Sequence, residues 1–176
     1  MLKILTLTGL ALFTVPALAD EGHCKAGEQV VFSCGVGKKT VSVCASDDLT
    51  PEQGYVQYRF GPIGAPELIY PENPESFRSK SDAGIFTMRY IKGGWIRFSN
   101  GSYSYLAFSE RVDTDEGNGE TLFNEGVSVL KDGKRVAKLV CKGQAIENFG
   151  AVSEFVSGLP EGSEDEVGEV QDLIAD

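Results

Sequence analysis

The chain has 176 residues, with 26 acidic side chains, 16 basic ones and one histidine, for a formal net charge of −10. That length is enough for one packed domain. The negative balance argues against nucleic acid or an anionic membrane as partner and favours a basic protein or a cation.

Residues 1–19 read as a signal peptide. Lys3 supplies a positive start, Ile4 to Pro16 is almost wholly apolar, and Ala17-Leu18-Ala19 is a small-x-small cleavage pattern. The apolar run is too short to span a bilayer comfortably, and Asp20-Glu21-Gly22-His23 follows at once. No cysteine directly follows Ala19, so a lipoprotein anchor is not expected. The expected product is a periplasmic or secreted chain, without membrane insertion after cleavage. Loss of Lys3 with the leader makes it one unit more negative.

All four cysteines lie beyond the leader, and none forms a CxxC pair. In an oxidising compartment this predicts two disulfides rather than a metal site. Val30, Phe32 and Cys34 are expected on one face of a first strand, and Val41 and Val43 on one face of the next, across Gly35-Val36-Gly37-Lys38. That register sets Cys34 opposite Lys39 and Cys44 opposite about Gln29, near where the chain enters from Cys24. It favours Cys24 with Cys44 and Cys34 with Cys141, although four cysteines admit three connectivities.

Further strands are expected over Tyr55 to Phe60, Glu67 to Tyr70 and Ile85 to Tyr90, with a proline-containing loop from Pro71 to Ser81. In the first of these, Val56, Tyr58 and Phe60 occupy one side and Tyr55, Gln57 and Arg59 the other. Gly93-Gly94 is read as a break before Trp95 to Ser99. Asn100-Gly101 and Asp132-Gly133 are hairpin signals, because both central residues of a type I′ turn need positive φ. They join Trp95–Ser99 to Ser102–Phe108, and Val127–Leu130 to Arg135–Val140. Asp113 to Glu125 between them reads as a long exposed loop.

After Cys141 the apolar period becomes helical, with Ile146, Phe149, Val152, Phe155, Val156 and Leu159 at spacings of three and four. The acid-rich end that follows reads as a solvated tail, at most transiently helical near Val167 to Ile174. The expected fold is mainly β, an antiparallel barrel or sandwich of about eight to nine short strands with one C-terminal amphipathic helix. Its parts are a disulfide-stapled β domain over 20–143, the helix over 144–160 and the acidic tail over 161–176.

Groups suited to catalysis are scarce, so no enzyme and no cofactor are expected. His23 sits beside Cys24 at the start of the exported chain, where it reads as solvated and idle. No glycine-rich phosphate loop, zinc signature or nucleophile elbow occurs. Asp113, Asp115, Glu116 and Glu120 cluster without an aromatic wall to desolvate a general acid, and read as a hydrated loop. Calcium is the competing reading there, but Gly117 and Asn118 break the pattern of an EF-type loop.

Trp95 and Arg97 next to Tyr103 and Tyr105 suggest one sheet face bearing all four, with Ile96, Phe98, Leu106 and Phe108 on the opposite, apolar face. Aromatics and arginine dominate binding hot spots, yet such a stripe is more often half of a barrel core, with Arg97 stacked and capped at its edge. The partner-binding candidates are Arg97, Ser99, Asn100, Gly101, Tyr103 and Tyr105.

Phe32-Ser33-Cys34, Tyr58-Arg59-Phe60-Gly61, Arg97 to Tyr103 and Asp132-Gly133-Lys134 leading to Val140-Cys141 resemble a group of small exported proteobacterial proteins of unassigned function. More distantly, the aromatic-x-Cys strand, the Asp-Gly-Lys hairpin and the closing cysteine are similar to the β-barrel inhibitors of C-type lysozyme. In those inhibitors a Ser-Gly-x-x-Tyr loop enters the lysozyme cleft. Ser99 and Tyr103 keep that spacing, with Asn100 in the glycine position and Gly101 one place late. The resemblance implies an inhibitory or binding β domain engaging a basic protein such as a lysozyme through the 99–105 hairpin. The alternative is a structural or envelope-stress protein with no dedicated ligand.

Overall fold

The computed structural model describes residues 22–50, 52–114, 119–152, 170 and 172–175. The proposed leader lies outside these residues, as do Asp115 to Asn118, residues 153–160 of the expected helix and most of the tail. α-Helical backbone is described only at 150–152, 170 and 172–174, and Ile146–Glu147, expected to be helical, are strand.

Among the described residues the chain forms ten strands: β1 (Glu28–Val36), β2 (Lys39–Ser46), β3 (Val56–Gly61), β4 (Leu68–Tyr70), β5 (Ser81–Thr87), β6 (Ile91–Asn100), β7 (Tyr103–Asp113), β8 (Thr121–Lys131), β9 (Lys134–Val140) and β10 (Ile146–Glu147). They build two antiparallel five-stranded sheets, ordered β10-β1-β2-β3-β4 and β5-β6-β7-β8-β9, which is a sandwich and not a closed barrel. Each sheet is a meander of neighbouring hairpins, and only β10 returns to the first sheet, beside β1.

Alternation along the strands fills the space between the sheets. Phe32, Val41, Val43, Val56 and Tyr58 point in from the first sheet and meet Ile96, Phe98, Ala107 and Val127 from the second. Each side chain of this size contributes about 1.5–3 kcal/mol when fully buried. The expected loop before β5 contains a short 3-10 helix over Pro74–Ser79 that inserts the fully buried Phe77 into this core. Phe149 enters from the other end and stacks on Phe32 with ring centroids 5.7 Å apart.

Three local expectations are corrected. A bulge between Val30 and Phe32 places Val30 opposite Cys44, while Val31 and Phe32 both enter the core. Val30 therefore does not share a face with Phe32, and Cys34 stands opposite Val41 rather than Lys39. Gly93-Gly94 does not interrupt a strand but lies within β6. A Cβ on Gly94 would come 2.6 Å from the Cβ of Phe149, and one on Gly93 2.4 Å from the Ser109 carbonyl. Glycine is needed there for close approach. The expected acidic loop is shorter too, because β7 and β8 pair as far as Asp113 with Thr121.

Cys24 is bonded to Cys44 and Cys34 to Cys141. The second bond ties β1 to the chain leaving β9, and so joins the two sheets. The first holds residues 22–27 across the outer face of the first sheet. Two disulfides point to an oxidising environment outside the cytoplasm. Among the described residues no helix is long and apolar enough to cross a membrane.

Candidate functional site

The β6–β7 hairpin turns one residue later than its Asn-Gly dipeptide suggests. Asn100 pairs with Tyr103, and Gly101-Ser102 form the two-residue loop, with Gly101 at φ 62°. The β8–β9 hairpin turns at Asp132-Gly133 as its sequence predicts, with φ of 49° and 75°. The two tips touch: the Asp132 N–H donates to the Ser102 carbonyl at 2.8 Å. From the first sheet, the Tyr70 hydroxyl donates to the Ser99 carbonyl at 2.6 Å.

This register splits the expected aromatic and arginine face. Across a two-residue loop every odd-numbered residue of β7 faces an even-numbered residue of β6, so Tyr103 and Tyr105 align with Asn100 and Phe98, not with Trp95 and Arg97. Ile96 and Phe98 likewise part from Leu106 and Phe108. Tyr105 is half-buried and stacks on Tyr58, centroids 5.1 Å apart and planes 14° apart. Trp95 is only 7 % exposed, under the outer surface of the second sheet. Tyr103 is the exposed aromatic of the hairpin, with the Lys131 ammonium 5.6 Å from its ring centre.

On the other face Arg97 binds both carboxylate oxygens of Asp82, its Nε 3.1 Å from each and its Nη2 2.5 Å from Oδ2. Its guanidinium also lies 5.7 Å from the Trp95 ring centre. A polar cavity of about 430 Å3 opens beside this pair, and Arg78, Lys80, Arg97, Ser99, Ser104 and Leu173 are among the residues lining it. The candidates thus divide: Arg97 and Ser99 line the cavity, Asn100, Gly101 and Tyr103 form the rim of the hairpin tip, and Tyr105 supports it from the core side.

A second polar constellation, which the sequence reading did not assemble, covers the outer face of the first sheet. Arg59 donates through Nη1 and Nη2 to the two Glu28 carboxylate oxygens, each at 2.6 Å. It also reaches the Gln57 side-chain oxygen and the His23 carbonyl at 2.8 Å each. The Tyr55 hydroxyl donates to Glu28 at 2.6 Å. Burial alone would raise the Glu28 carboxyl, but hydrogen bonds from Arg59, the Lys25 amide and Tyr55 outweigh it and bring the pKa down to about 2. The alternation of Tyr55, Gln57 and Arg59 was the available signal; their partner Glu28 is distant in sequence.

His23 is buried, contrary to its reading as a solvated residue. Its Nε2 lies 3.2 Å from the Thr40 carbonyl and 3.0 Å from the Gly61 carbonyl, and since carbonyls only accept, Nε2 carries the proton. The ring therefore clips residues 22–27 to the ends of β2 and β3. Cys24, Cys44 and Glu28 bring ligand-type atoms within 4.8 Å of one another, but both sulfurs are consumed by their mutual bond. In the acidic cluster, Asp113 accepts from Thr121 at 3.0 Å and from Arg111 at 3.1 Å. Those bonds, Thr121's foremost, hold its carboxyl below the usual range.

Comparison with family models, curated proteins and solved structures finds no match to this chain.

Proposed function

We propose that this protein is a non-catalytic binding or inhibitory β domain of the periplasm or extracellular space, engaging a macromolecular partner through the joined tips of its second sheet. The observation that carries this reading is the Asp132 to Ser102 hydrogen bond. It fixes two hairpin tips against each other, with Tyr103 exposed on one and the Arg97–Ser99 cavity beside it. A rigid aromatic anchor next to a polar cleft loses little entropy on association.

A basic protein suits a chain of charge −10. A C-type lysozyme is the specific partner proposed, because the Ser99 to Tyr103 segment resembles the inhibitors' loop. The absence of chemistry is part of the proposal, since the one histidine commits its Nε2 to two backbone carbonyls.

The test is calorimetric titration of the oxidised full-length protein with C-type lysozyme, alongside a lysis assay. Saturable binding at micromolar concentration that weakens in Tyr103→Ala supports the proposal, and no heat or inhibition at that concentration removes lysozyme as partner. A structural envelope protein without a ligand is the second reading, favoured by the burial of Trp95 and the stacking of Tyr105 inside the sandwich.

A further inference from the structure

The second sheet has an apolar surface on its outer side as well as in the core. Phe86, Trp95, Leu106 and Phe108 form it, with Ile91 packed against them. The cover is the far end of the chain: Val170 is 4 % exposed, Ile174 is fully buried, and Leu173 packs beside them. Val170 and Asp172 to Ile174 are helical, so apolar residues at i, i+3 and i+4 point the same way.

The end of this segment is held by side chains of β8 and β9. The Leu173 carbonyl accepts from Ser128 at 2.7 Å and Arg135 at 3.3 Å. The Ile174 carbonyl accepts from Asn124 at 3.2 Å and Lys138 at 2.8 Å, and the Ala175 carbonyl accepts from Arg135. Carbonyls at a helix C-terminus lack partners within the helix and carry partial negative charge, so two cations among four side-chain donors there suit them. These donors fix the direction of whatever lies on the sheet.

The two outer faces are closed differently. Residues 22–27 are locked over the first sheet by Cys24–Cys44. No cysteine follows Cys141, so the cover of the second sheet has no disulfide. Its removal would uncover Phe86, Trp95, Leu106 and Phe108, with Lys138 5.8 Å from the Phe108 ring centre toward β9, an apolar patch with a basic edge, which is a binding surface in its own right.

We infer that the outer face of β5 to β9 is a receptor for an acidic amphipathic helix, and that the chain's own C-terminal segment is its displaceable occupant. The partner is a protein presenting the same chemistry: apolar residues at i, i+3 and i+4, acidic residues near them in sequence as Asp172 is here, and last carbonyls directed at Arg135 and Lys138. This surface adjoins the cavity beside the hairpin tips, which Leu173 also lines, but neither reading requires the other.

Trp95 is the sole tryptophan and lies under the segment, so its emission reports occupancy. In the oxidised full-length Ile174→Asp variant the emission should shift to the red and become open to iodide quenching, with the far-UV spectrum unchanged. A synthetic peptide of residues 165–176 should then restore the blue-shifted emission saturably. It should bind wild type about tenfold more weakly or less, because the tethered segment competes at high effective concentration. A scrambled peptide should not bind, and adding Arg135→Ala and Lys138→Ala should weaken the true peptide. If Ile174→Asp perturbs the sandwich, Val170→Ser carries the same expectation. An unshifted Trp95 in a folded variant, a peptide without effect, or a scrambled peptide equally effective overturns the inference.

Discussion

Glu28 and Arg59 form a two-pronged ion pair on the outer face of the first sheet, with side chains only 4 % and 3 % exposed. Such a pair is costly to break one-sidedly, because the remaining charge stays buried. Arg59→Met should destabilise the oxidised protein by about 3 kcal/mol in guanidinium denaturation. Glu28→Gln should cost somewhat less, since Arg59 keeps Gln57 and the His23 carbonyl. Loss of Lys39–Glu67, whose side chains are 39 % and 51 % exposed, should change stability by under about 0.5 kcal/mol. Equal costs at the two pairs would contradict a shielded network.

The same pair sets an acid limit. Glu28 titrates at about 2 in the folded protein against an ordinary value of 4.5. A depressed folded pKa means that the unfolded chain takes up the proton first. The contribution of Glu28 is thus complete above pH 4.5 and is lost as pH falls from there toward about 2. After allowance for solvent screening, that loss should amount to about 2 kcal/mol. Denaturation midpoints followed down that range should fall more steeply for wild type than for Glu28→Gln. Parallel curves would assign acid sensitivity to other carboxylates.

Much of the strand pattern was legible because period-two alternation and turn dipeptides are local signals. Val41, Val43, Val56 and Tyr58 alternate as a one-sided core requires, and Asp132-Gly133 marks its turn. The bulge at Val31 escaped because one inserted residue leaves composition unchanged while reversing the faces before it. The candidate aromatic face failed on loop parity, which separates Tyr103 from Arg97 in a two-residue hairpin. Burial of both faces of the second sheet had a trace in the consecutive apolar residues Trp95-Ile96 and Leu106-Ala107-Phe108. What covered the outer face was hidden, since an acid-rich segment reads as solvated until its Val170, Leu173 and Ile174 find a surface.

The two disulfides should contribute unequally. Cys24–Cys44 closes a separation of 20 residues and Cys34–Cys141 one of 107. On the chain-entropy account the first restricts the unfolded state by about 3 kcal/mol and the second by nearly 5 kcal/mol. Paired replacement of Cys34 and Cys141 by alanine should therefore lower the denaturation midpoint more than replacement of Cys24 and Cys44. The smaller change should instead show locally, as faster amide exchange at His23, whose N–H donates to Ser42. A greater global loss from the Cys24–Cys44 pair would mean that residues 22–27 stabilise the core itself.

Tyr103 and Tyr105 lie two residues apart on one face of β7, yet they should respond oppositely to truncation. Tyr105 stacks on Tyr58, whose phenol is itself driven up in pKa by burial, and Tyr105→Ala would leave a void against the core. A cost of about 2–3 kcal/mol in thermal or denaturant unfolding is expected. Tyr103 is 39 % exposed, and its ring meets the Lys131 ammonium rather than the core, so Tyr103→Ala should cost about 0.5 kcal/mol or less. A binding tip requires this separation, with the exposed ring spared for a partner and the inner one holding the hairpin in place. If Tyr103→Ala destabilised the fold as much as Tyr105→Ala, Tyr103 would belong to the structural framework, and the hairpin tip would lose its proposed anchor.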